Sequence, residues 1–267
     1  MSANENASLF PSFLIVTCPE CGEKCLVWKD ASPIRCYTCH YILRSKKGTK
    51  GRLLGETRLP YLEDFRQYWY NHLHLYRKKL DAVDSYLPHN GTHLDIGMAW
   101  GELIELERLK YEQVYGLDIE KEMIDIAKAL YADDMKVKIS LSSAENLKND
   151  YPGMSFNSIT CLDVFEHLKI EVCEQILKDI YDLLVPNGIF IATFPGLLEK
   201  IKILLKLNEP YHLHCHSSYG WGKMIADSGL KIVTIKAVQF PIIDNKYLRE
   251  HMHLFGITCL VVASKGV

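Results

Sequence analysis

What the chain has little of narrows it first. Its 267 residues contain no uncharged apolar run of the roughly eighteen needed to span a bilayer, so no membrane-crossing helix is expected. The apolar stretch nearest the N-terminus, Phe10 to Val16, is short and broken by Pro11 and Ser12, too interrupted for the core of a secretory leader. A surplus of charge is missing too: 31 Lys and Arg stand against 33 Asp and Glu. With a net charge of −2, no field over the whole molecule draws it to nucleic acid or to an anionic membrane. There are no internal repeats and no low-complexity tracts, which removes solenoids and disordered arrays. These absences lead to the expectation of a soluble, cytoplasmic protein.

What is there points to one large domain and a smaller module, since about half the residues are hydrophobic. Four of the nine cysteines form two CxxC pairs, Cys18 with Cys21 and Cys36 with Cys39, fourteen residues apart. In a reducing compartment such pairs hold metal more often than they form disulfides. Four thiolates complete a closed tetrahedral Zn²⁺ shell, a structural site that supplies the folding energy a small module lacks. Cys25 and His40 are spare donors that blur the ligand set, and a redox dithiol is the competing reading. The segment Cys18-Pro19-Glu20-Cys21-Gly22 resembles the first knuckle of the zinc-ribbon family.

The domain plan that follows is a loose N-terminus over 1–13, a zinc-ribbon-like module over 14–45, a basic linker over 46–60 and a main domain over 61–267. The linker carries Lys46, Lys47, Lys50, Arg52 and Arg58 among glycines. It suits contact with phosphates, but no aromatic is interleaved to stack on bases. Phe65, Trp69, Leu73, Tyr76, Leu80 and Val83 recur at helical spacing and predict a helical extension leading into the main domain.

THLDIGMAWG, Thr92 to Gly101, then reads as a short apolar strand and a small-residue turn, followed by a helix from Glu102. That geometry lets backbone approach a nucleoside at a helix N-terminus. Asp118 closes the next apolar run, VYGLD, where a carboxylate at a strand tip is placed to accept bonds from a ribose. The alternation continues: helix 120–132, strand 137–141, strand 158–164, helix 172–184, and strand 189–194 entered through a Pro186-Asn187-Gly188 turn. A helix to about Asp227 and an antiparallel-looking pair within Leu230 to Ala263 end the chain. Repeated strand-helix units predict an α/β fold with a mostly parallel sheet covered on both faces, its ligand at the strand C-terminal edge.

These residues together resemble the class I S-adenosylmethionine-dependent methyltransferases of small-molecule type, from about Thr92 to the C-terminus. The resemblance implies a Rossmann-like seven-stranded sheet and assigns Asp95, Gly97, Ala99 and Gly101 to the first cofactor motif, with Ala99 standing where the family has glycine. It assigns Asp118 to the ribose and Ile119, Ser143 and Ala144 to the adenine. Asp163, in FNSITCLDVFEHL, falls to the methionine end of the cofactor. His167 and His214 are the candidate general bases for an acceptor that must lose a proton. The expected cofactors are S-adenosyl-L-methionine and a structural Zn²⁺, and the expected partner is a small-molecule acceptor methylated at oxygen, nitrogen or carbon. An RNA base docked by the zinc ribbon is the alternative acceptor, and a non-catalytic scaffold with a degenerate cofactor site is the reading from another class.

Overall fold

A computed structural model gives the structure of the chain. It describes residues 77–196, 216–239 and 258–267, and within the first 76 residues Gly22 and the backbone of five short strands. The chain divides into two units, residues 1–77 with 128–130, and 78–127 with 131–267.

In the first unit, β1 (Phe13–Thr17), β2 (Lys24–Trp28) and β5 (Thr57–Arg58) form an antiparallel sheet in the order β2-β1-β5. A separate antiparallel pair joins β3 (Ile34–Arg35) to β4 (Ile42–Arg44). Pairing of Thr57 with Ile15 and of Arg58 with Leu14 brings two residues of the stretch read as linker into the first sheet.

The second unit is built on a seven-stranded sheet. Its strands are β6 (Thr92–Ile96), β7 (Gln113–Asp118), β8 (Val137–Leu141), β9 (Phe156–Leu162), β10 (Leu184–Pro195), β11 (Lys231–Gln239) and β12 (Thr258–Ser264). The order is β11-β12-β10-β9-β6-β7-β8, parallel from β10 to β8, with β12 antiparallel to both its neighbours. The chain runs outward from β6 through β7 to β8 and then returns to lay β9 on the other side of β6. The strand order therefore reverses at β6, and in open sheets of this kind ligands bind beyond the strand ends at such a point.

Alternation along β6 separates two environments. Leu94 and Ile96 join an apolar cluster with Phe156, Ile159 and Phe190, while His93 and Asp95 lie among Ser158 and Thr160, buried as well. Helix α1 (Glu102–Glu107) follows β6, α2 (Lys121–Leu130) follows β7, and the single turn α3 (Leu147–Asp150) follows β8. Helix α4 (Ile170–Leu183) buries Cys173, Ile176, Leu177 and Ile180 in the cluster, and α5 (Ser218–Asp227) adds Trp221 and Ile225. Of the expected helical extension, residues 77–84 are helical and bury Leu80 and Val83; its earlier stripe lies outside the described residues.

Two boundaries differ from the sequence expectation for local reasons. β9 stops at Leu162 because Asp163 turns the backbone into the left-handed region, φ 55. The Pro186-Asn187-Gly188 segment is an irregularity inside β10 rather than a turn before it. The register slips between Leu184 and Ile189 there, and Asn187 and Gly188 bond the backbone of Lys265 at 3.0 Å each.

Candidate functional site

The turn after β6 is closed by its own backbone. Gly97 and Met98 donate to the carbonyl of Leu117 at 2.9 and 3.1 Å, and Gly101 donates to that of Met98 at 2.9 Å. Gly97 has φ 71, and a Cβ there would run into Val164. Gly101 has φ 87, and a Cβ would lie 2.9 Å from the ring of Tyr131, whose hydroxyl bonds the Gly101 carbonyl. Both positions require glycine. Ala99 adopts φ 48, so the departure from glycine is held in the left-handed region at a modest strain.

Asp118 at the tip of β7 is tied to this turn. Its Oδ2 accepts from the Ala99 amide at 3.0 Å and its Oδ1 from the Glu120 amide at 2.9 Å. The backbone thus aims a half-buried carboxylate before any ligand arrives. Ile119 beside it is 65% exposed, an apolar surface left open at the sheet edge. Ser142 bonds the Asp118 carbonyl through its amide at 3.0 Å. Ser143 caps the short turn Ala144–Asn146 by accepting from the Glu145 amide at 3.3 Å, and Ala144 is buried.

Asp95 is 3% exposed and accepts from the Thr160 hydroxyl at 2.7 Å. Behind it runs a buried chain: Tyr111 to Ser158 at 2.7 Å, Ser158 to His93 Nδ1 at 2.8 Å, and His93 Nε2 to Thr160 at 3.3 Å. With Asp95 ionised, the Thr160 hydroxyl donates to it. Thr160 must then accept from His93 Nε2, leaving Nδ1 to accept from Ser158 and Ser158 to accept from Tyr111. Burial drives the His93 pKa down to about 3, so the ring is neutral, as this direction requires.

Beyond β9, Asp163 accepts from Lys79 Nζ at 2.6 Å and from the Thr193 hydroxyl at 2.7 Å. Glu166 follows in the short turn Phe165–His167; it is 1% exposed and its Oε2 has no hydrogen-bond partner. His167 is exposed at the end of that turn. Burial, reinforced by Glu102 and Asp118, lifts the Asp95 carboxyl to about 7. Burial, with Asp118 adding, lifts Glu102 to about 7, and burial with Asp163 lifts Glu166 to about 8. The charge of Lys79 opposes all three rises. Carboxyls gathered at this cost suit a ligand that carries positive charge. S-adenosylmethionine, with its sulfonium and ammonium groups, fits that donor set. A phosphate at the start of α1 does not, because that helix has six residues and already bears Glu102 and Glu105 in its first turn.

The structure thus brings Asp95, Gly97, Ala99, Gly101 and Asp118 together at the tips of β6 and β7, with Asp163 and His167 following β9. Cys18, Cys21, Cys36, Cys39 and His214 lie outside the described residues. A cavity of about 470 Å³, lined by residues of α4 and α5 and by His216, shares no residue with the strand tips. Sequence reading missed Lys79, Glu102 and Glu166. Glu102 directly follows the glycine turn and Glu166 stands in the quoted DVFEHL motif, so both carried a local signal. Lys79 carried none, being 84 residues from the aspartate it pairs with.

Residues 94–192 match a family described as a methyltransferase domain. A ubiquinone biosynthesis O-methyltransferase of Chromobacterium violaceum is 29% identical over 119 residues, 43% of this chain and 50% of that protein. One from Coxiella burnetii is 23% identical over 218 residues, 73% of this chain and 90% of that protein. The match thus spans half the length of the first relative and most of the second. The crystal structure of an S-adenosylmethionine-dependent methyltransferase from Archaeoglobus fulgidus superposes with a TM-score of 0.56 at 19% identity, covering 72% of this chain and 94% of that one. Residues 94–192 are therefore similar to a methyltransferase domain, and the second unit shares its fold with S-adenosylmethionine-dependent methyltransferases of known structure. Among the described residues, no helix is long and apolar enough to cross a membrane.

Proposed function

We propose that the chain transfers the methyl group of S-adenosylmethionine to a small-molecule acceptor, with oxygen as the accepting atom. The observation that carries this reading is Asp118, locked by two backbone amides beside the glycine turn at the point where the strand order reverses. Oxygen is preferred over nitrogen and carbon because both curated relatives are O-methyltransferases.

When bound, S-adenosylmethionine supplies an electrophilic methyl group on a positively charged sulfur. Asp118 would hold the ribose hydroxyls, and Ile119 and the 143–144 segment would hold the adenine. Asp95, Glu102 and Asp163 would supply negative charge to the methionine end, with Lys79 holding Asp163 in place. Most of the rate then comes from alignment of acceptor oxygen, carbon and sulfur. His167, exposed at the end of the β9 turn, would take up the proton that the acceptor hydroxyl loses on methylation. His214 remains the second candidate for that proton. Calorimetry with S-adenosylhomocysteine tests the donor site, which Asp118→Ala should abolish or weaken greatly. Turnover of a phenolic acceptor tests the base: His167→Ala should slow it by about 100-fold or more with cofactor affinity unchanged. Near-normal turnover of that variant would remove the role.

The paired cysteines are read as a structural Zn²⁺ site. Cys18 and Cys21 fall in sequence between the antiparallel partners β1 and β2, and Cys36 and Cys39 between β3 and β4, as two metal knuckles require. Metal analysis of the purified chain should find one zinc, lost when Cys18 and Cys21 are replaced by serine.

A further inference from the structure

We propose that Asp84, His89 and Glu107 form a divalent-cation site at the edge of the sheet opposite the strand tips. The three come from separate places in the chain. Asp84 closes the helical stretch 77–84, His89 lies in the connection to β6, and Glu107 is the last residue of α1, which returns from the strand tips. Their ligand atoms lie within 4.8 Å of one another. His89 Nε2 is hydrogen-bonded to Asp84 Oδ1 at 2.6 Å, a bond a cation would replace, and lies 3.6 Å from Glu107 Oε2. Donors around a small divalent ion with bonds of about 2.0–2.2 Å stand about 3 to 3.5 Å apart, so less than 1 Å of movement would seat one.

The observation that points to a ligand is Glu107. Its side chain is fully buried, and Oε2, directed at His89, has no hydrogen-bond partner. Leaving a buried carboxylate oxygen unsatisfied is costly. Position makes it costlier, because Glu107 and Asp84 both end helices, where the macrodipole repels carboxylates. His89 is also held in the left-handed region, at φ 51. Three unfavourable local choices converge on one spot, and a cation there relieves the two electrostatic ones.

Lys110 is the rival. Its Nζ bonds Asp84 Oδ1 and lies 3.3 Å from Glu107 Oε1. It reaches the cluster from a partly exposed position and leaves Glu107 Oε2 untouched. One imidazole and two carboxylates suit Mn²⁺, Fe²⁺, Co²⁺ or Zn²⁺. Mn²⁺ is the probe of choice, since hard ions avoid the thiolates of the paired cysteines.

The test is titration with Mn²⁺ of the full chain brought to one zinc per molecule, the tightly held thiolate-bound ion, and saturated with S-adenosylhomocysteine, reading free ion by electron paramagnetic resonance. One Mn²⁺ per chain is expected, weakened at least about tenfold by His89→Ala and by Glu107→Gln. Lys110→Met should bind more tightly than the parent, because the competing ammonium is gone. A purely structural ion-pair cluster predicts no Mn²⁺ binding in parent or Lys110→Met, and that result overturns the proposal. So does binding that survives both ligand substitutions or is lost in Asp163→Asn instead. His89 is partly exposed, so its variant keeps the test valid if Glu107→Gln fails to fold.

Discussion

Two carboxylates at strand tips on either side of β6, Asp118 and Glu166, are supported in opposite ways. Asp118 is half-buried and both its oxygens accept from backbone amides, so its aim is set by the fold. Glu166 is buried with one oxygen lacking any partner, and its carboxyl is pushed up to about 8. The β7 side of the candidate site is preorganised, while the β9 side holds a buried carboxyl with one oxygen outside any hydrogen bond.

The sharpest way to break the comparison is Asp118→Ala. Losing a carboxylate that would hold two ribose hydroxyls should cost about 100-fold in S-adenosylhomocysteine affinity by calorimetry, and the melting temperature should fall modestly because the Ala99 and Glu120 amides lose their acceptor. Glu166→Gln should leave that affinity within a few-fold of the parent. Equal losses in the two variants would erase the distinction.

Gly97→Ala comes next. Left-handed backbone and overlap with Val164 together should cost about 2–3 kcal/mol in chemical denaturation.

The titrations sharpen the contrast through pH. Asp95 and Glu102 titrate near 7 and Glu166 near 8, all raised by burial. Acids raised in the folded state hold protons that the unfolded chain releases near its ordinary carboxylate values. The ligand-free protein should therefore lose stability as pH rises from about 5 to 8, and Glu166→Gln should flatten the upper part of that curve in thermal melts. A cation favours the ionised carboxyls. S-adenosylmethionine should thus bind more tightly at pH 8 than at pH 6, by roughly tenfold, and the uncharged homocysteine product should gain less.

Ala99→Gly is the smallest change. Relief of the left-handed alanine is offset by glycine's unfolded-state entropy, so stability should rise by less than about 1 kcal/mol.

Most of the main sheet was legible because apolar strands and amphipathic helices alternate along Thr92 to Phe194, and the closing antiparallel pair was legible from its apolar runs. Boundaries moved where a single residue overruled the pattern, as Asp163 does at the end of β9. The residues gathered at the tips of β6 and β7 were readable because they stand close to one another on short turns: Asp95 to Gly101 is one stretch, and Asp118 follows one strand later. Lys79 was not readable, nor was the chain from Tyr111 through Ser158 and His93 to Thr160. Nothing in a window around any of them signals partners tens of residues away.

Sequence alone determined the alternation of elements, the two glycines that the turn demands, and the acid at the second strand tip. Those depend on backbone conformation and local periodicity, which neighbours in the chain dictate. Only the tertiary structure decided which charges meet: Asp163 with Lys79, Glu166 against Asp163, Glu107 with His89 and Asp84. Ionisation depends on burial and on groups a few ångströms away, and those distances exist only once the sheet has brought distant segments together.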